Sequence, residues 1–312
     1  MLNYLESLTL NLAQATADLP QEFRERHSQF LLARQREDGG FSGREGESDL
    51  YYTGFALRSL AILGMLDGDI ADRACGFLRT KLNSQESIVD FLSLIYGAKL
   101  LESSAGLNVF EDANANWADS VVAALNELRR DDGGFAKGPM GKASSTYHTF
   151  LVLLCLQLIE RPIAEPEKIV AFIKSQEDAD GGFHEIRVSK RAGTNPTAAA
   201  VGVLRMLDAV SETTSESTID FLYEMQNDEG GLRANTRIPI ADVLSTFTGV
   251  VTLRDLGGLA EIDLAAALKY VQSLESEEGG FLGAAWDEIF DVEYTFYGIA
   301  ATALLTQALA GK

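Results

Sequence analysis

Cysteine is close to absent. Cys75 and Cys155 are the only two, each inside an apolar helical stretch, which excludes a disulfide framework or a cysteine-rich metal site and fits a reducing cytoplasm. Long apolar runs are missing too: the longest, Phe150 to Ile159, is interrupted by Gln157 and falls short of the roughly 20 residues that a bilayer span needs. The first residues lack a basic start followed by an apolar stretch, so a cytoplasmic chain with no transmembrane segment is expected. Basic residues are in deficit, 26 against 46 acidic, and a formal charge of −20 repels nucleic-acid phosphates and anionic lipid heads. Nucleic acid is therefore not an expected partner. No nucleophile elbow, phosphate-binding Gly-Lys-Ser/Thr loop or dinucleotide glycine fingerprint occurs in a strand-turn-helix setting, and no low-complexity tract interrupts the chain.

What the chain does have is a repeated glycine pair. Gly39-Gly40-Phe41, Gly133-Gly134-Phe135, Gly181-Gly182-Phe183, Gly230-Gly231-Leu232 and Gly279-Gly280-Phe281 are separated by 94, 48, 49 and 49 residues. Since 94 is twice 47, one loop is missing, and Ser87 to Leu101 reads like the segment that follows each of the other loops. Six repeats of about fifty residues then fill residues 1–312 without a linker, and a fixed period of this kind marks a repeat architecture in one domain.

Each repeat pairs two helical patterns. Phe23, His27, Phe30 and Leu31, or Ile169, Phe172 and Ile173, trace one apolar stripe, as an outer, half-exposed helix requires. Tyr51 to Leu63, Phe150 to Ile159, Ala198 to Leu207 and Phe296 to Leu305 are apolar nearly all round, as inner helices must be. The glycines permit positive φ between the two helices, and the Phe or Leu after them is suited to plug the loop into the core. The acids before the glycines, Asp38, Asp132, Asp180 and Glu278, read as solvated loop residues. Small residues along the inner segments and a last helix that stays apolar almost to its end favour a closed form, with the last repeat covered by the first. The expected fold is all-α: a double-layered α/α barrel, or toroid, of six helical hairpins.

Gly40-Phe-Ser-Gly-Arg44, Gly231-Leu-Arg-Ala-Asn235 with Asp242-Val-Leu-Ser-Thr-Phe247, and Gly133 to Lys142 leading into Tyr147-His148-Thr149-Phe150 resemble the repeats of protein prenyltransferase β subunits. Squalene and other terpenoid cyclases share that superfamily. The resemblance implies a six-fold α/α barrel with a central apolar cavity, an isoprenoid or other lipid-like ligand, and, on the transferase branch, a helical partner subunit. It also implies chemistry at the start of the inner helices. The β subunits hold zinc with Asp-x-Cys and a His; here Asp242 is kept, Leu244 stands in the Cys position, and His148 lies two repeats earlier, so zinc is not expected. The cyclases protonate their substrate with an Asp-x-Asp-Asp-Thr-Ala motif. Gly193 to Ala198 keeps only its Thr-Ala, whereas Asp291-Val-Glu293-Tyr294 keeps acids at the first and third places. Glu293 or Asp291 is thus a candidate acid, to be weighed against a helix cap and a first-turn carboxylate.

Charge along the loops adds a signal of its own. The third, fourth and fifth loops carry Lys137, Lys142, Arg187, Lys190, Arg191, Arg233 and Arg237, with His148 and His184 beside them, against Glu185 and Asp242 alone. Seven bases in an acidic chain should focus an anion such as diphosphate. Arg44, Arg233 and Arg237 are the positions closest to the diphosphate-binding residues that the resemblance implies. Arg44 itself reads as neutralised by Glu45, Glu47 and Asp49. The sixth loop, with Asp287, Glu288, Asp291 and Glu293 and no base expected nearby, offers oxygens of the kind Mg²⁺ takes, or a solvated acidic face, which is the favoured reading. Tyr51, Tyr52, Phe55, Tyr147, Phe150, Phe247, Tyr294, Phe296 and Tyr297 recur at one point of the repeats and could line an apolar cavity or simply pack. Asp90 is the lone acid of its apolar helix, read as protonated or paired with a neighbouring base. The leading expectation is a prenyltransferase-like enzyme binding an isoprenoid diphosphate, with Asp242 in its catalytic set. The alternatives are a cyclase using Glu293 or Asp291, and a catalytically inactive lipid-binding or interaction scaffold.

Overall fold

The structure is a computed structural model describing residues 2–82, 87–111 and 113–311. Its secondary structure is mostly helical. Contacts group the chain into two compact units, Met1–Val121 with Leu274–Gly311, and Val122–Ser273.

The first unit opens with α1 (Tyr4–Ala17), a helix the repeat count does not include. Its start is a capping box, in which Asn3 Oδ1 accepts the Glu6 N–H and Glu6 Oε2 accepts that of Asn3. Then come the amphipathic α2 (Gln21–Leu32) and the apolar α3 (Leu50–Leu63), the amphipathic α4 (Gly68–Thr80) and the apolar α5 (Ile88–Ala105), and, from the chain's other end, the apolar α13 (Val292–Ala310). Helix α1 packs on α3 and α13, and Thr9 on it hydrogen-bonds the Tyr96 hydroxyl of α5. Helix α13 packs on α3, so the sixth repeat lies directly on the first. That contact covers the apolar surface that the last helix carries to its end.

Helix α6 (Trp117–Glu127) leads into the second unit. There the apolar helices α7 (Thr146–Leu158), α9 (Thr194–Met206) and α11 (Val243–Leu256) pack side by side, α9 in the middle. Their amphipathic partners are α8 (Pro166–Lys174), α10 (Glu212–Met225) and α12 (Leu264–Ser273). The third loop closes as a short antiparallel pair, β1 (Phe135–Ala136) with β2 (Ser144–Ser145), Phe135 opposite Ser145.

One device anchors all five glycine loops. The plug residues Phe41, Phe135, Phe183, Leu232 and Phe281 are buried, each burial contributing roughly 1.5–3 kcal/mol. Their N–H groups donate to Thr53, Thr149, Thr197, Thr246 and Thr295 Oγ1 at 2.8–3.2 Å. Each threonine lies four residues after the N-cap of its apolar helix. The second repeat has no glycine pair, and Phe91 stands there instead of threonine. The first glycine of each pair has φ between 84° and 96° and sits against a backbone carbonyl of the next amphipathic helix, so a side chain is excluded twice over. Asp38, Asp132 and Asp180 are not merely solvated: each accepts the N–H of the second glycine and shapes the turn. Asp90, expected to be protonated or paired with a base, completes the α5 capping box instead, its Oδ2 accepting from Ser87 N at 3.1 Å and Ser87 Oγ at 2.8 Å.

Candidate functional site

Every loop delivers the start of an apolar helix, and the residues singled out by sequence collect there. Asp291 caps α13, its Oδ1 accepting the Tyr294 N–H at 2.9 Å, while Oδ2 accepts from Arg44 Nε at 3.0 Å. Arg44 also holds Asp287 through Nη1 at 3.2 Å and Nη2 at 2.5 Å. Two expectations are corrected by this fork. Arg44 is neutralised by the sixth loop rather than by Glu45, Glu47 and Asp49, and the acidic sixth loop does have a base. Burial would raise the Asp287 carboxyl, but the Arg44 hydrogen bonds overcome it and hold that carboxyl below its ordinary value. Tyr294 and Tyr52 close over the two loops: the Arg44 guanidinium lies 5.5 Å from the Tyr294 ring centre, and Tyr52 covers Gly43. With both lone-pair sides engaged, Asp291 acts as cap and counter-ion.

Glu293, one turn into α13, is placed differently. It is half-buried, accepts a hydrogen bond from the Tyr297 hydroxyl at 3.2 Å, and is bonded by Tyr51. Desolvation is the largest influence on its carboxyl and, with the charge of Asp291, lifts its pKa above the ordinary glutamate value; the Tyr51 and Tyr297 hydrogen bonds and the charge of Arg58 pull the other way without prevailing. Its two tyrosine partners belong to an aromatic cluster. Phe55 meets Tyr51 at 5.0 Å, Tyr297 at 5.4 Å and Phe296 at 5.8 Å between centres.

Arg58 completes this cluster, and the sequence reading missed it. It is the one base in the apolar stretch Tyr51 to Leu63. Its guanidinium lies between two rings, 4.7 Å from the centre of Phe55 and 4.9 Å from that of Tyr96, and its buried Nε has no hydrogen-bond partner. A lone arginine inside an apolar helical run was the signal available in the sequence, since such a charge is costly without a partner.

The second unit carries the basic loops. Lys137, Lys142, Arg187, Lys190, Arg191 and Arg237 are exposed and form no ion pair with a described residue; Arg191 reaches Thr236 Oγ1 at 3.2 Å. Arg233 is turned to the backbone instead, its Nη2 donating to the Glu224 carbonyl at 2.6 Å. His184 lies 3.2 Å from Asp178. His148 Nδ1 is 2.8 Å from Ser145 Oγ, the α7 cap, and burial followed by the charge of Lys137 lowers its pKa. Ser145 Oγ also donates to Glu185, whose carboxyl burial raises. Tyr147 is exposed, edge-on to His148 at 5.6 Å.

Asp242 caps α11, accepting from Ser245 N at 2.6 Å and Ser245 Oγ at 2.8 Å, with its pKa raised by burial. The residues present do not fit a zinc site: Asp242 and His148 are engaged in separate caps, and Leu244 offers no ligand. Among the described residues no group of three or more His, Cys, Asp or Glu side chains could hold a metal ion, the sixth loop included. No described helix is long and apolar enough to cross a membrane.

The chain matches the structure of Candida albicans protein geranylgeranyltransferase-I complexed with GGPP at TM-score 0.73 and 15% identity, over 90% of each chain. It matches the type II terpene cyclase MstE from Scytonema in complex with geranylgeranyl dihydroxybenzoate at TM-score 0.62 and 12% identity, over 97% of this chain and 98% of that one. A possible member of the GH105 family from Klebsiella pneumoniae matches at TM-score 0.57 and 15% identity, over 98% and 94%. At these identities the likeness is one of fold. No curated protein matches. The family model of the prenyltransferase alpha-alpha toroid domain matches residues 6–166 and 163–311, which spans almost the whole chain; the protein belongs to that all-α toroid family.

Proposed function

We propose that this protein is an isoprenoid-converting enzyme in which Glu293 starts the reaction by protonating a carbon–carbon double bond. The observation that carries the reading is the Glu293 carboxyl itself, desolvated and steadied by the hydroxyls of Tyr51 and Tyr297, two members of an aromatic cluster. A carboxyl with a raised pKa keeps its proton nearer neutrality, which is what a general acid needs. In the step, the alkene π pair takes the Glu293 proton and forms a C–H bond. The neighbouring carbon becomes a tertiary cation, and Glu293 is left as the carboxylate. Attack by the next double bond moves the cation along the chain, and loss of a proton to water ends the sequence. Phe55, Phe296, Tyr51 and Tyr297 pack together beside the carboxyl, and ring faces of this cluster would stabilise such a cation. Arg58, with no carboxylate ion pair among the described residues, would hold an anionic end of the substrate, and in that bound state its charge is spent on the anion rather than opposing the cation.

A second reading, transfer of a prenyl group from its diphosphate, rests on the unpaired bases of the second unit, which suit a diphosphate head. It would bring with it a helical partner subunit. Deuterium separates the two. Incubation with geranylgeranyl diphosphate, and with a geranylgeranyl ester lacking diphosphate, in D₂O with and without Mg²⁺ should give products carrying one solvent-derived deuteron and no released diphosphate. Diphosphate release without deuterium incorporation would overturn protonation and favour transfer. Binding with no product in any arm would favour a scaffold.

A further inference from the structure

The second repeat lacks a glycine loop, and the place that the loop fills elsewhere is a cavity. It has a volume of about 470 Å³ and lies in the first unit. Register identifies it. In the fifth and sixth repeats the plug rests on a glycine seven residues after the cap of its apolar helix: Leu232 on Gly249 and Phe281 on Gly298. Seven residues after the α5 cap, Ser87, stands Leu94, and four residues after it stands Phe91; both line the cavity. On the far side, the first glycine of the other four loops, the one at Gly39 apart, sits against the carbonyl of the residue thirteen positions before the next glycine pair around the repeats, as with Gly133 on Lys168 and Gly230 on Ala266. Counting thirteen back from Gly133 gives Ser120 on α6, which also lines the cavity, beside Val121. The third wall is a ring pair, Phe110 and Trp117, stacked at 3.9 Å with their planes 5° apart.

We propose that this cavity is a binding site for a neutral aromatic small molecule, separate from the Glu293 cluster. Three observations define the occupant. All five sibling seats are filled by a phenyl or isobutyl group, so the shape suits a ring of that size. Among the described residues no charged side chain lines the cavity, so an ion would find no partner on these walls. The threonine that receives the plug's backbone N–H elsewhere is Phe91 here, so a peptide plug from another chain would leave that donor without its acceptor. Aromatic walls at Phe91, Phe110 and Trp117 with exposed polar Asn114 and Ser120 at the edge match an apolar ring bearing one hydrogen-bonding group.

The test titrates the intact protein with N-phenyl-1-naphthylamine, a neutral aromatic amine that fluoresces in apolar surroundings, following energy transfer from Trp117 in a Trp286→Phe background. One saturable site is expected. Leu94→Phe, which fills the seat, and Ala113→Trp, which narrows the edge, should each weaken binding about tenfold or more, while Glu293→Gln leaves it unchanged. Ala113 is half-exposed, so its variant carries the test if Leu94→Phe fails to fold. The peptide N-acetyl-Gly-Gly-Phe-amide should not compete. Absence of saturable binding, indifference to both cavity variants, or displacement by the peptide at matched concentration would each overturn the proposal. None of these outcomes bears on Glu293, and loss of activity in Glu293→Gln does not bear on the cavity.

Discussion

Two carboxylates two residues apart, Asp291 and Glu293, have opposite environments, and the difference is one of partners. Asp291 spends its oxygens on the α13 cap and on Arg44; Glu293 meets two tyrosine hydroxyls and a ring of aromatic carbon. Glu293→Gln keeps the volume and one acceptor oxygen but has no acidic proton. It should cut turnover by at least about a hundredfold and leave substrate affinity within a few fold, measured by steady-state kinetics beside direct binding. Unchanged turnover would remove Glu293 from the mechanism. The same substitution tests the pKa independently of activity. Because the folded-state pKa lies above the unfolded one, ionisation of Glu293 favours the unfolded chain, so its contribution to stability is complete below the ordinary glutamate value and is lost as pH rises through the folded value. Glu293→Gln should therefore raise the melting temperature relative to the parent more at pH 8 than at pH 4. Glu293 was visible in the sequence as an acid at a suggestive place, whereas the pairing of Arg44 was not. Its true partners lie more than 240 residues away, and proximity along the chain pointed instead to Glu45, Glu47 and Asp49.

At the level of the helical hairpin, the glycine loops were readable because positive φ and close backbone packing admit no other residue, and that demand recurs at a fixed period. The threonine four residues after each cap obeys the same period and could have been read with it. Its job is to receive a buried N–H that no helix or strand otherwise satisfies. Thr246→Val keeps the shape of the side chain and strands the Leu232 N–H, which should cost about 1–3 kcal/mol in urea unfolding. A cost near zero would mean that the plug alone sets the loop. Helix α1 escaped notice for the opposite reason: it occurs once, has no glycine pair, and announces itself only by the Asn3 and Glu6 capping box. Periodicity finds what is repeated and is silent about what is added.

For the molecule as a whole, the question raised by a chain of repeats is what its last unit rests on. In the first unit the sixth loop docks on α2, where Gly279 lies against the Arg26 carbonyl and the ring of Phe30 covers Gly280. At the corresponding place the other amphipathic helices carry Ala74, Ile169, Thr218 and Ala267, but α2 carries His27. Its buried ring accepts the Gly280 N–H on Nδ1 at 3.0 Å, faces Glu275 Oε1 from Nε2 at 3.1 Å, and stacks on Phe281 at 4.9 Å. An Nδ1 that accepts must carry no proton, so Nε2 holds the hydrogen and donates to Glu275. Burial is the leading cause of the lowered His27 pKa, with the charge of Arg26 adding to it and Glu275 opposing both. A histidine depressed in this way stabilises the fold above its unfolded value near 6.5 and loses that contribution as pH falls through the folded value, when Nδ1 takes a proton and releases Gly280. This joint ties the first hairpin to the last, which the other repeats achieve through chain neighbours. Acidification from pH 7.5 to 5 should therefore lower the melting temperature and speed hydrogen exchange at Gly280 and Phe281 ahead of Leu232 and Phe183. His27→Ala should cost about 1–3 kcal/mol at pH 7.5 and flatten the part of the acid loss centred on the sixth loop. If exchange at Gly280 were no faster at pH 5, after correction for the intrinsic rate, the joint would be held by packing of Phe281 and Phe30 rather than by the imidazole.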